Sequence, residues 1–247
     1  MKNIQKWKPS KYVYKNGKLR ASKNKKELGV SSRLIADLVA EFYDSKLQKY
    51  ARGDLVDLGC GKVPLYEAYK DKISKCICVD WDNPFHENEF LDMNVDLNKN
   101  LPFENNVFDT IILSDVLEHI QDPILLWNEM NRILRKDGIL IMNVPFHYWI
   151  HDSPFDYYRY TRYALEYFAN KSNFQIISID ELGGVVEILT DFISKIISKI
   201  PLIGKFLAMS IQWCNLQFLK LKIGKKLKTE TSKHFVLSYG LVAKKIN

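Results

Sequence analysis

Residues 55–65, LVDLGCGKVPL, join a short apolar run to a turn that contains two glycines. The apolar run predicts a buried strand, and glycine lets the following backbone approach a ligand more closely than any other residue does. In α/β proteins this arrangement forms the binding edge for a nucleotide-like molecule. A carboxylate, Asp57, stands just before the turn. Because an acid is unfavourable beside a phosphate group, the position of Asp57 favours a cationic amino-acid nucleoside.

Two further positions narrow this interpretation of the glycine turn. A dinucleotide site prefers a third glycine at position 63, where this chain has Val63 followed by Pro64. Val63 and Pro64 disfavour close binding of a pyrophosphate. Because a dehydrogenase binds its dinucleotide cofactor through that group, they also disfavour a dehydrogenase. Asp80 ends the next apolar run, where a carboxylate can accept hydrogen bonds from both hydroxyls of a ribose. A solvent-facing acid at a strand end is the other interpretation of Asp80.

Strand and helix patterns alternate along the chain. Strands are predicted at 54–58, 75–80, 91–95, 108–114, 138–144, 174–180 and 235–243, with a loop after Asp80, and helices at 31–50, 64–71, 123–135 and 162–170. Asp122 and Thr161 are expected to cap the last two helices, and Gly138 to follow the end of the first of them. Alternation of this kind favours a doubly wound parallel sheet with helices on both faces.

The composition fits one α/β domain with additions. The chain has 247 residues, of which 47% are apolar, enough to bury a full core. Its four cysteines lack the paired spacing of metal ligands, so we expect no metal and interpret them as reduced thiols of an intracellular protein. We find no secretory segment and no uncharged apolar run of membrane-spanning length, and we therefore predict a cytoplasmic location.

The net charge of +7 is concentrated in two segments. Residues 2–26 contain ten Lys or Arg, residues 192–229 contain eight Lys, and neither segment contains an acid; the rest of the chain has 18 basic and 29 acidic residues. We interpret residues 1–30 as a loosely ordered basic arm. Each basic segment can meet an anionic membrane, a nucleic acid or a phosphorylated substrate, or can simply be solvated.

The last two predicted strands are separated by about fifty residues, far more than an ordinary connection needs. Within this insertion, 183–233, apolar side chains repeat at helical spacing until Pro201: Val185, Ile188, Leu189, Phe192, Ile193, Ile196, Ile197 and Ile200. A second apolar segment, 202–221, is interrupted by polar residues and is not predicted to span a membrane. We interpret the insertion as a lid packed on the sheet edge. The alternative is docking on the inner leaflet through 185–228 and its lysines.

Acidic residues follow the predicted strands in a recognisable order. The chain has Asp57-Leu-Gly-Cys-Gly61, then Asp80, then Asp96 ahead of Leu101-Pro-Phe103, then Phe108-Asp109 leading into Asp115-Val-Leu-Glu-His119. In order and spacing this resembles class I S-adenosylmethionine-dependent methyltransferases. The resemblance implies an α/β, doubly wound, Rossmann-like sheet of seven strands, mostly parallel with an antiparallel last strand and a helical insertion before it. It also implies that 31–182 and 234–247 form the methyltransferase domain.

The same resemblance implies a site for S-adenosylmethionine at the strand ends. Its members would be Asp57, Gly59, Cys60, Gly61, Asp80, Trp81, Asp96, Leu97, Ser114, Asp115 and His119. Asp57 would lie near the amino group of the methionine part, Asp80 would hold the ribose, and Trp81 would line the adenine. Asp115 would border the transferred methyl, whereas His119 would belong to the cofactor shell or fix its loop.

Residues 144–161, VPFHYWIHDSPFDYYRYT, are too rich in imidazole, hydroxyl and aromatic groups for an ordinary connector. They leave the sheet at its carboxyl edge, so we interpret them as the acceptor site. His151 is the first candidate for a base that removes a proton from a hydroxyl acceptor, because imidazole titrates near neutrality, with His147 and Asp156 next. The segment also resembles a loop of bacterial methyltransferases associated with polysaccharide and glycan assembly.

Four further residues of this segment are candidates for acceptor binding. Tyr157, Tyr158 and Tyr160 are expected to stack on or hydrogen-bond a sugar, or to join the core. Arg159 is expected to pair with a phosphate or carboxylate of the substrate, or to form a salt bridge with Asp152 or Asp156.

Together the patterns predict an S-adenosylmethionine-dependent methyltransferase that acts on oxygen of a sugar, a sugar phosphate or another small glycan-pathway metabolite. Methylation of a lipid or quinone precursor at the membrane is an alternative, as is a catalytically silent subunit that binds the cofactor. No nucleic-acid partner is expected, because the basic stretches lie outside the predicted active edge and no base-flipping signature is present. The acceptor, the choice between oxygen and nitrogen, and the oligomeric state are left open.

Overall fold

A computed structural model describes residues 1–81 and 89–246 and arranges the strands as one hairpin and one large sheet. The strands are β1 (Tyr12–Lys15), β2 (Lys18–Ala21), β3 (Gly53–Leu58), β4 (Ile73–Asp80), β5 (Met93–Asn94), β6 (Phe108–Ser114), β7 (Leu134–Pro145), β8 (Phe174–Leu182) and β9 (Ser238–Lys245). The sheet has seven strands in the order β5, β4, β3, β6, β7, β9, β8. Strand β9 runs antiparallel to both of its neighbours, and the other pairs are parallel. The predicted Rossmann-like sheet is therefore confirmed.

Helices cover both faces of the sheet. They are α1 (Arg33–Tyr50), α2 (Tyr66–Tyr69), α3 (Pro123–Ile133), α4 (Arg162–Lys171), α5 (Val185–Ile197), α6 (Gly204–Phe218) and α7 (Lys222–Thr231). Phe42 and Tyr43 of α1 belong to the core on one face, and Trp127 of α3 with Leu165 of α4 to the core on the other. The two predicted caps are present, because the Asp122 and Thr161 side chains each accept a 3.2 Å hydrogen bond from a backbone N–H of the first turn.

Several helix and strand boundaries differ from the sequence prediction. Helix α3 ends at Ile133 because Leu134 already pairs with Phe108 in the sheet, so Gly138 lies inside β7 and its predicted place after the helix is wrong. Helix α2 is a single turn and is shorter than the predicted 64–71. The predicted loop after Asp80 falls mostly on residues 82–88, which lie outside the described residues, as does Asn247.

The N-terminal segment forms regular structure, whereas the sequence predicted a loosely ordered arm. Strands β1 and β2 form an antiparallel hairpin whose turn is Asn16-Gly17, both at positive φ. Asn-Gly is the preferred pair for such a turn, because both central residues must adopt left-handed angles. Tyr12 and Leu19 are buried in the core that also contains α1. The basic arm is thus anchored by its apolar residues, and most of its charged side chains are exposed, with Lys11 among the exceptions.

The insertion forms three helices, α5, α6 and α7, of which α7 was not predicted. None of the helices in the described part of the chain is long and apolar enough to cross a membrane. Helix α5 begins at Val185 as expected, but it turns most of its apolar stripe outward, with Ile188 buried, and its polar stripe inward. The interpretation of the insertion as a lid on the sheet edge stays a prediction.

Candidate active site

Two adjoining cavities lie at the carboxyl ends of β3, β4 and β6. One has a volume of about 670 Å³ and the other about 680 Å³, and Gly59, Asp115, His119 and Asp152 line both of them. We name them after the parts of the cofactor that the sequence resemblance predicts there: the methionine cavity, also lined by Asp57, Cys60, Gly61, Ser114 and His151, and the adenosine cavity, also lined by Asp80, Trp81, Asp96, Leu97 and Tyr157. All the residues predicted for the cofactor therefore line one cavity or the other.

The glycine turn after β3 is shaped by its backbone angles. Gly59 has φ +72°, and a Cβ there would lie 2.4 Å from Cγ2 of Val116, so no side chain fits. Gly61 has φ +48° but meets no atom within 4 Å of an added Cβ. Its N–H donates to Oδ2 of Asp80 across 2.9 Å, so the same carboxylate that faces the adenosine cavity also holds the turn. Val63 occupies the position at which a dinucleotide site prefers a third glycine. It also has a positive φ, of 50°, and this backbone conformation is strained for a β-branched residue.

Asp57 is buried beneath the turn. Burial, and then the negative charge of Asp80, raise the pKa of Asp57 to about 7, and a 3.5 Å contact with the Tyr69 hydroxyl opposes this rise. Such a carboxyl carries an unbalanced negative charge once it ionises. It is therefore suited to a cationic ligand group in the methionine cavity.

Asp115, which directly follows β6, has a positive φ of 54° and is held by two side chains. It accepts hydrogen bonds from Nζ of Lys11, at 2.8 Å, and from the side-chain amide of Asn143 at the end of β7. Burial opposes the charge on Asp115, but Lys11 and Asn143 hold its pKa below the usual range. The Tyr43 hydroxyl donates to Oδ1 of Asn143 across 2.9 Å, and Ser114 donates to the same oxygen across 3.0 Å.

Lys11, Tyr43 and Asn143 were missed by the sequence analysis. Asn143 carried a signal, since it is an amide inside the otherwise apolar run of β7 and such a group needs a partner when buried. No sequence signal identified Lys11, because the position of its side chain depends on how the N-terminal hairpin packs.

The adenosine cavity has a flat aromatic wall and a polar rim. Trp81 meets Phe155 edge to face, with ring centroids 4.9 Å apart. Leu97 is buried, whereas Asp96 lies at the rim and accepts hydrogen bonds from the backbone of Asn98. This hydrogen bond, with the nearby Lys99, lowers the pKa of Asp96. A planar base with polar edges would fit these surroundings.

A cluster of Glu118, His119 and His151 lies beside Asp115. Nε2 of each histidine is 3.8 Å from Oε1 of Glu118, and the rings meet edge to face. Glu118 is fully buried and neither of its side-chain oxygens has a hydrogen-bond partner among the described residues. Burial, and then the charge of Asp115, raise its pKa well above the usual range. The donor atoms of the three residues lie within 4.8 Å of one another, so this cluster could hold a metal ion.

His151 is backed by a second acid on its other side. Its Nδ1 lies 3.2 Å from Oδ2 of Asp156, and its backbone N–H donates to the same oxygen. Arg159 clamps Asp156 with two hydrogen bonds, so of the two expected partners of Arg159 the structure contains the salt bridge. Burial opposes the charge of Asp156, but Arg159 and His151 lower its pKa to about 2. Burial also lowers the pKa of His151, which favours the neutral imidazole.

The remaining candidates are placed apart from the cluster. Among the residues described, His147 lines neither cavity, and its Nδ1 lies 2.6 Å from the backbone oxygen of Val236. Tyr160 is buried and donates to the backbone oxygen of Leu117, while Tyr158 donates to that of Gln121. Tyr157 lines the adenosine cavity and accepts a hydrogen bond from Gln121.

Residues 56–142 match the family model described as a methyltransferase domain. The match covers β3 through most of β7, including the glycine turn, Asp80 and Asp115. The chain therefore contains a methyltransferase domain and is an S-adenosylmethionine-dependent methyltransferase, with S-adenosylmethionine as its cofactor. No curated protein matches the sequence.

Solved structures show the same fold at low sequence identity. The [4+2]-cyclase SpnF is 14% identical with a TM-score of 0.57, and the match covers 96% of this chain and 87% of the cyclase. An S-adenosylmethionine-dependent methyltransferase from Archaeoglobus fulgidus is 16% identical with a TM-score of 0.53, covering 83% and 94%. Phosphoethanolamine N-methyltransferase 2 from Haemonchus contortus, in complex with S-adenosylmethionine, is 15% identical with a TM-score of 0.53, covering 83% and 52%.

The residues present fit this cofactor. Gly59 leaves room that any side chain would fill, Asp57 and Asp80 offer carboxylates at two separate points, and Trp81 with Leu97 offers apolar surface. An ammonium group, a ribose and a purine need these three environments.

Proposed function

We propose that the protein methylates a hydroxyl of a sugar, a sugar phosphate or another small intermediate of glycan assembly. The observation that carries the proposal is His151, which lines the methionine cavity with Nδ1 3.2 Å from Oδ2 of Asp156 and Nε2 3.8 Å from Oε1 of Glu118. Asp156 holds the backbone N–H of His151 rather than the ring, whose Nδ1 makes no hydrogen bond within the described residues. A neutral imidazole beside a carboxylate is suited to take a proton from a hydroxyl acceptor.

The cofactor supplies a methyl group on a positively charged sulfur. When bound, that methyl group would be displaced from sulfur by the acceptor oxygen, and His151 would take the hydroxyl proton at Nε2. Asp156 stabilises the imidazolium, and Arg159 keeps Asp156 ionised and in place. Because the displacement needs little other acid or base help, holding the acceptor in line contributes much of the rate.

The surroundings of His151 suit a carbohydrate. Tyr148 lines the same cavity and meets the His151 ring edge to face, which offers aromatic surface to the apolar face of a sugar. Lys26 and Lys62 lie on the cavity wall, where a phosphate on the acceptor would meet positive charge, and would compete with Glu27 for Lys62, since those two side chains are 3.1 Å apart. His147 stays a predicted alternative base, and Tyr158 and Tyr160 stay predicted acceptor residues, with placements that favour a supporting role.

Methylation of a lipid or quinone precursor at a membrane is the second candidate. The outward apolar stripe of α5 favours it, since Lys195 of that helix contacts the rings of Tyr148 and Trp149 in the acceptor segment. A docked α5 would place the acceptor segment near the lipid surface.

The test is methyl transfer by the full chain to a panel of nucleotide sugars, sugar phosphates and polyprenyl-linked sugars, with product identified by mass spectrometry. We expect His151→Ala to lose activity by about 10²–10⁴-fold while calorimetry shows unchanged cofactor binding. The matched control is His147→Ala, expected to retain most activity. Full turnover by His151→Ala would refute the base, and loss of turnover with EDTA would assign the cluster to a metal instead. A chain that binds cofactor but methylates nothing in the panel would favour the silent subunit.

A further inference from the structure

Helix α5 is turned inside out relative to its sequence pattern. Its buried residues are mainly polar or charged: Glu187, Thr190, Asp191, Ser194 and Lys195. Its exposed residues are the apolar stripe, with Leu189 at 54%, Phe192 at 39%, Ile193 at 43% and Ile196 at 70% exposure. An amphipathic helix of a water-soluble domain normally shows the opposite arrangement.

The inward polar face of α5 is fixed by specific partners. Asp191 pairs with Lys195, whose Nζ also lies 3.6 Å from the centre of the Tyr148 ring. Thr190 accepts a 2.8 Å hydrogen bond from Asn215 of α6, and Glu187 accepts one from the backbone of Gly184. Rotation of the helix to bury its apolar stripe would break these contacts. The outward direction of the stripe is therefore set by the fold.

Helix α6 repeats the inversion. It buries Gly204, Ala208, Gln212 and Asn215, and Gln212 donates to the backbone oxygen of Val30. Its exposed stripe, at positions three and four apart, consists of Phe206, Met209, Trp213 and Leu216. Between the two helices, Leu202 is completely exposed and Ile203 is exposed at 58%. The apolar stripes of the two helices and this connection together are named the outer face.

The segment that carries the outer face is basic. From Phe192 to Thr229 the sequence has eight lysines and no acid. Lys195 is buried, but the six lysines at 199, 205, 220, 222, 225 and 226 are exposed, and Lys226 lies 3.8 Å from Glu230. Large apolar side chains bordered by lysines match the boundary between the headgroups and acyl chains of an anionic bilayer. A tryptophan such as Trp213 is also favoured at that boundary.

We propose that the outer face docks the protein on an anionic lipid bilayer, with α5 and α6 lying in the plane of the membrane surface. A second copy of this chain is a poorer occupant, because the lysines of two such basic segments would repel one another. Helices α5 and α6, like the other helices among the described residues, are too short or insufficiently apolar to span a bilayer. A position on the membrane surface agrees with this. The inference does not depend on which acceptor is methylated.

The test is flotation of the full chain with vesicles of phosphatidylcholine alone or mixed with phosphatidylglycerol. We expect binding to the mixed vesicles, with Lys205→Gln weakening it roughly fivefold and added salt weakening it further. The triple variant Ile196→Ser, Phe206→Ser and Trp213→Ser should lose at least tenfold in binding. Because all three side chains are exposed, it should retain its circular dichroism spectrum and its cofactor affinity.

Ile177→Ser is the matched control, since Ile177 is an exposed apolar residue of β8 outside the outer face. It should bind vesicles as the unchanged chain does. Failure of the folded, unchanged chain to bind the mixed vesicles would overturn the proposal. So would a dimer in sedimentation that the triple variant abolishes, because it would assign the outer face to a second copy.

Discussion

Lys11 donates from Nζ to Oδ2 of Asp115 across 2.8 Å and so joins the N-terminal segment to the end of β6. The two residues are 104 positions apart in the sequence. Although burial opposes its charge, the carboxylate of Asp115 raises the pKa of Lys11, which therefore stays protonated. Because Ser10 and Lys11 line the methionine cavity, residues 1–30 form part of the site wall.

Replacing Lys11 should loosen the N-terminal segment. Lys11→Met removes the ion pair and leaves Asp115 with the Asn143 amide as its remaining side-chain partner among those described above. Since the two side chains retain 35% and 27% exposure, we expect a loss of about 1–2 kcal/mol in unfolding free energy, less than for a fully buried pair. Urea denaturation measures this loss, and limited proteolysis should cut residues 11–26 faster.

Lys8→Met is the control for Lys11→Met, because Lys8 is exposed three positions earlier. It should change neither the urea midpoint nor the rate of proteolysis. Equal effects of the two substitutions would show that general loss of positive charge, rather than the contact with Asp115, is responsible.

The two glycines of the turn should respond differently to alanine. Gly61→Ala adds a Cβ in open space and should cost only the left-handed backbone strain, about 1–2 kcal/mol. Gly59→Ala carries the same strain and in addition drives Cβ into Val116, so the turn must move. We expect Gly59→Ala to lose measurable cofactor binding in calorimetry and to have the lower melting temperature. Similar affinities for both variants would show that the turn tolerates displacement.

The sequence predicts the sheet edge well because strand ends in a parallel sheet meet by topology alone. Asp57, Asp80 and Asp115 each follow an apolar run, so their proximity requires no knowledge of side-chain packing. The N-terminal hairpin could also have been predicted, because Asn16-Gly17 is a strong turn signal. The basic composition of the segment favoured the prediction of a loosely ordered arm instead.

The inward face of α5 and the partner of Arg159 could not be predicted from the sequence pattern. The periodicity of α5 identifies two faces but does not say which one is inward, and here the Asp191–Lys195 pair and the contact of Thr190 with Asn215 decide it. The salt bridge of Arg159 was one of two expectations, and choosing between them requires the loop conformation that brings Asp156 against His151.

Asp57 should make cofactor affinity depend on pH. Its pKa of about 7 means that the carboxyl is largely protonated below that pH and ionised above it. Because an ammonium group favours the ionised form, affinity should rise with pH through about 7, by up to about tenfold per pH unit below it. It should fall again above roughly pH 8, where an α-amino group loses its own proton. Calorimetric titrations across this range test the prediction.

Stability of the cofactor-free protein should show the opposite trend. A carboxyl with a raised pKa in the folded state favours folding at low pH, and this contribution is lost as pH rises through about 7. Asp57→Asn should remove the rise in affinity through pH 7 and flatten the melting temperature over the same interval. A pH profile of Asp57→Asn identical to that of the unchanged chain would assign the titration to another group.

The buried Asp191–Lys195 pair provides the sharpest test of packing in α5. Asp191→Leu leaves the Lys195 ammonium against the rings of Tyr148 and Trp149 without a carboxylate, which should cost about 3–5 kcal/mol in urea denaturation. Burial already lowers the pKa of Lys195, so the cost should shrink as pH rises and the amine loses its proton more easily. Adding Lys195→Met to Asp191→Leu removes the stranded charge and should recover most of the loss. Simple addition of the two single losses would show instead that the residues act independently, and that the pair does not fix the inward face of the helix.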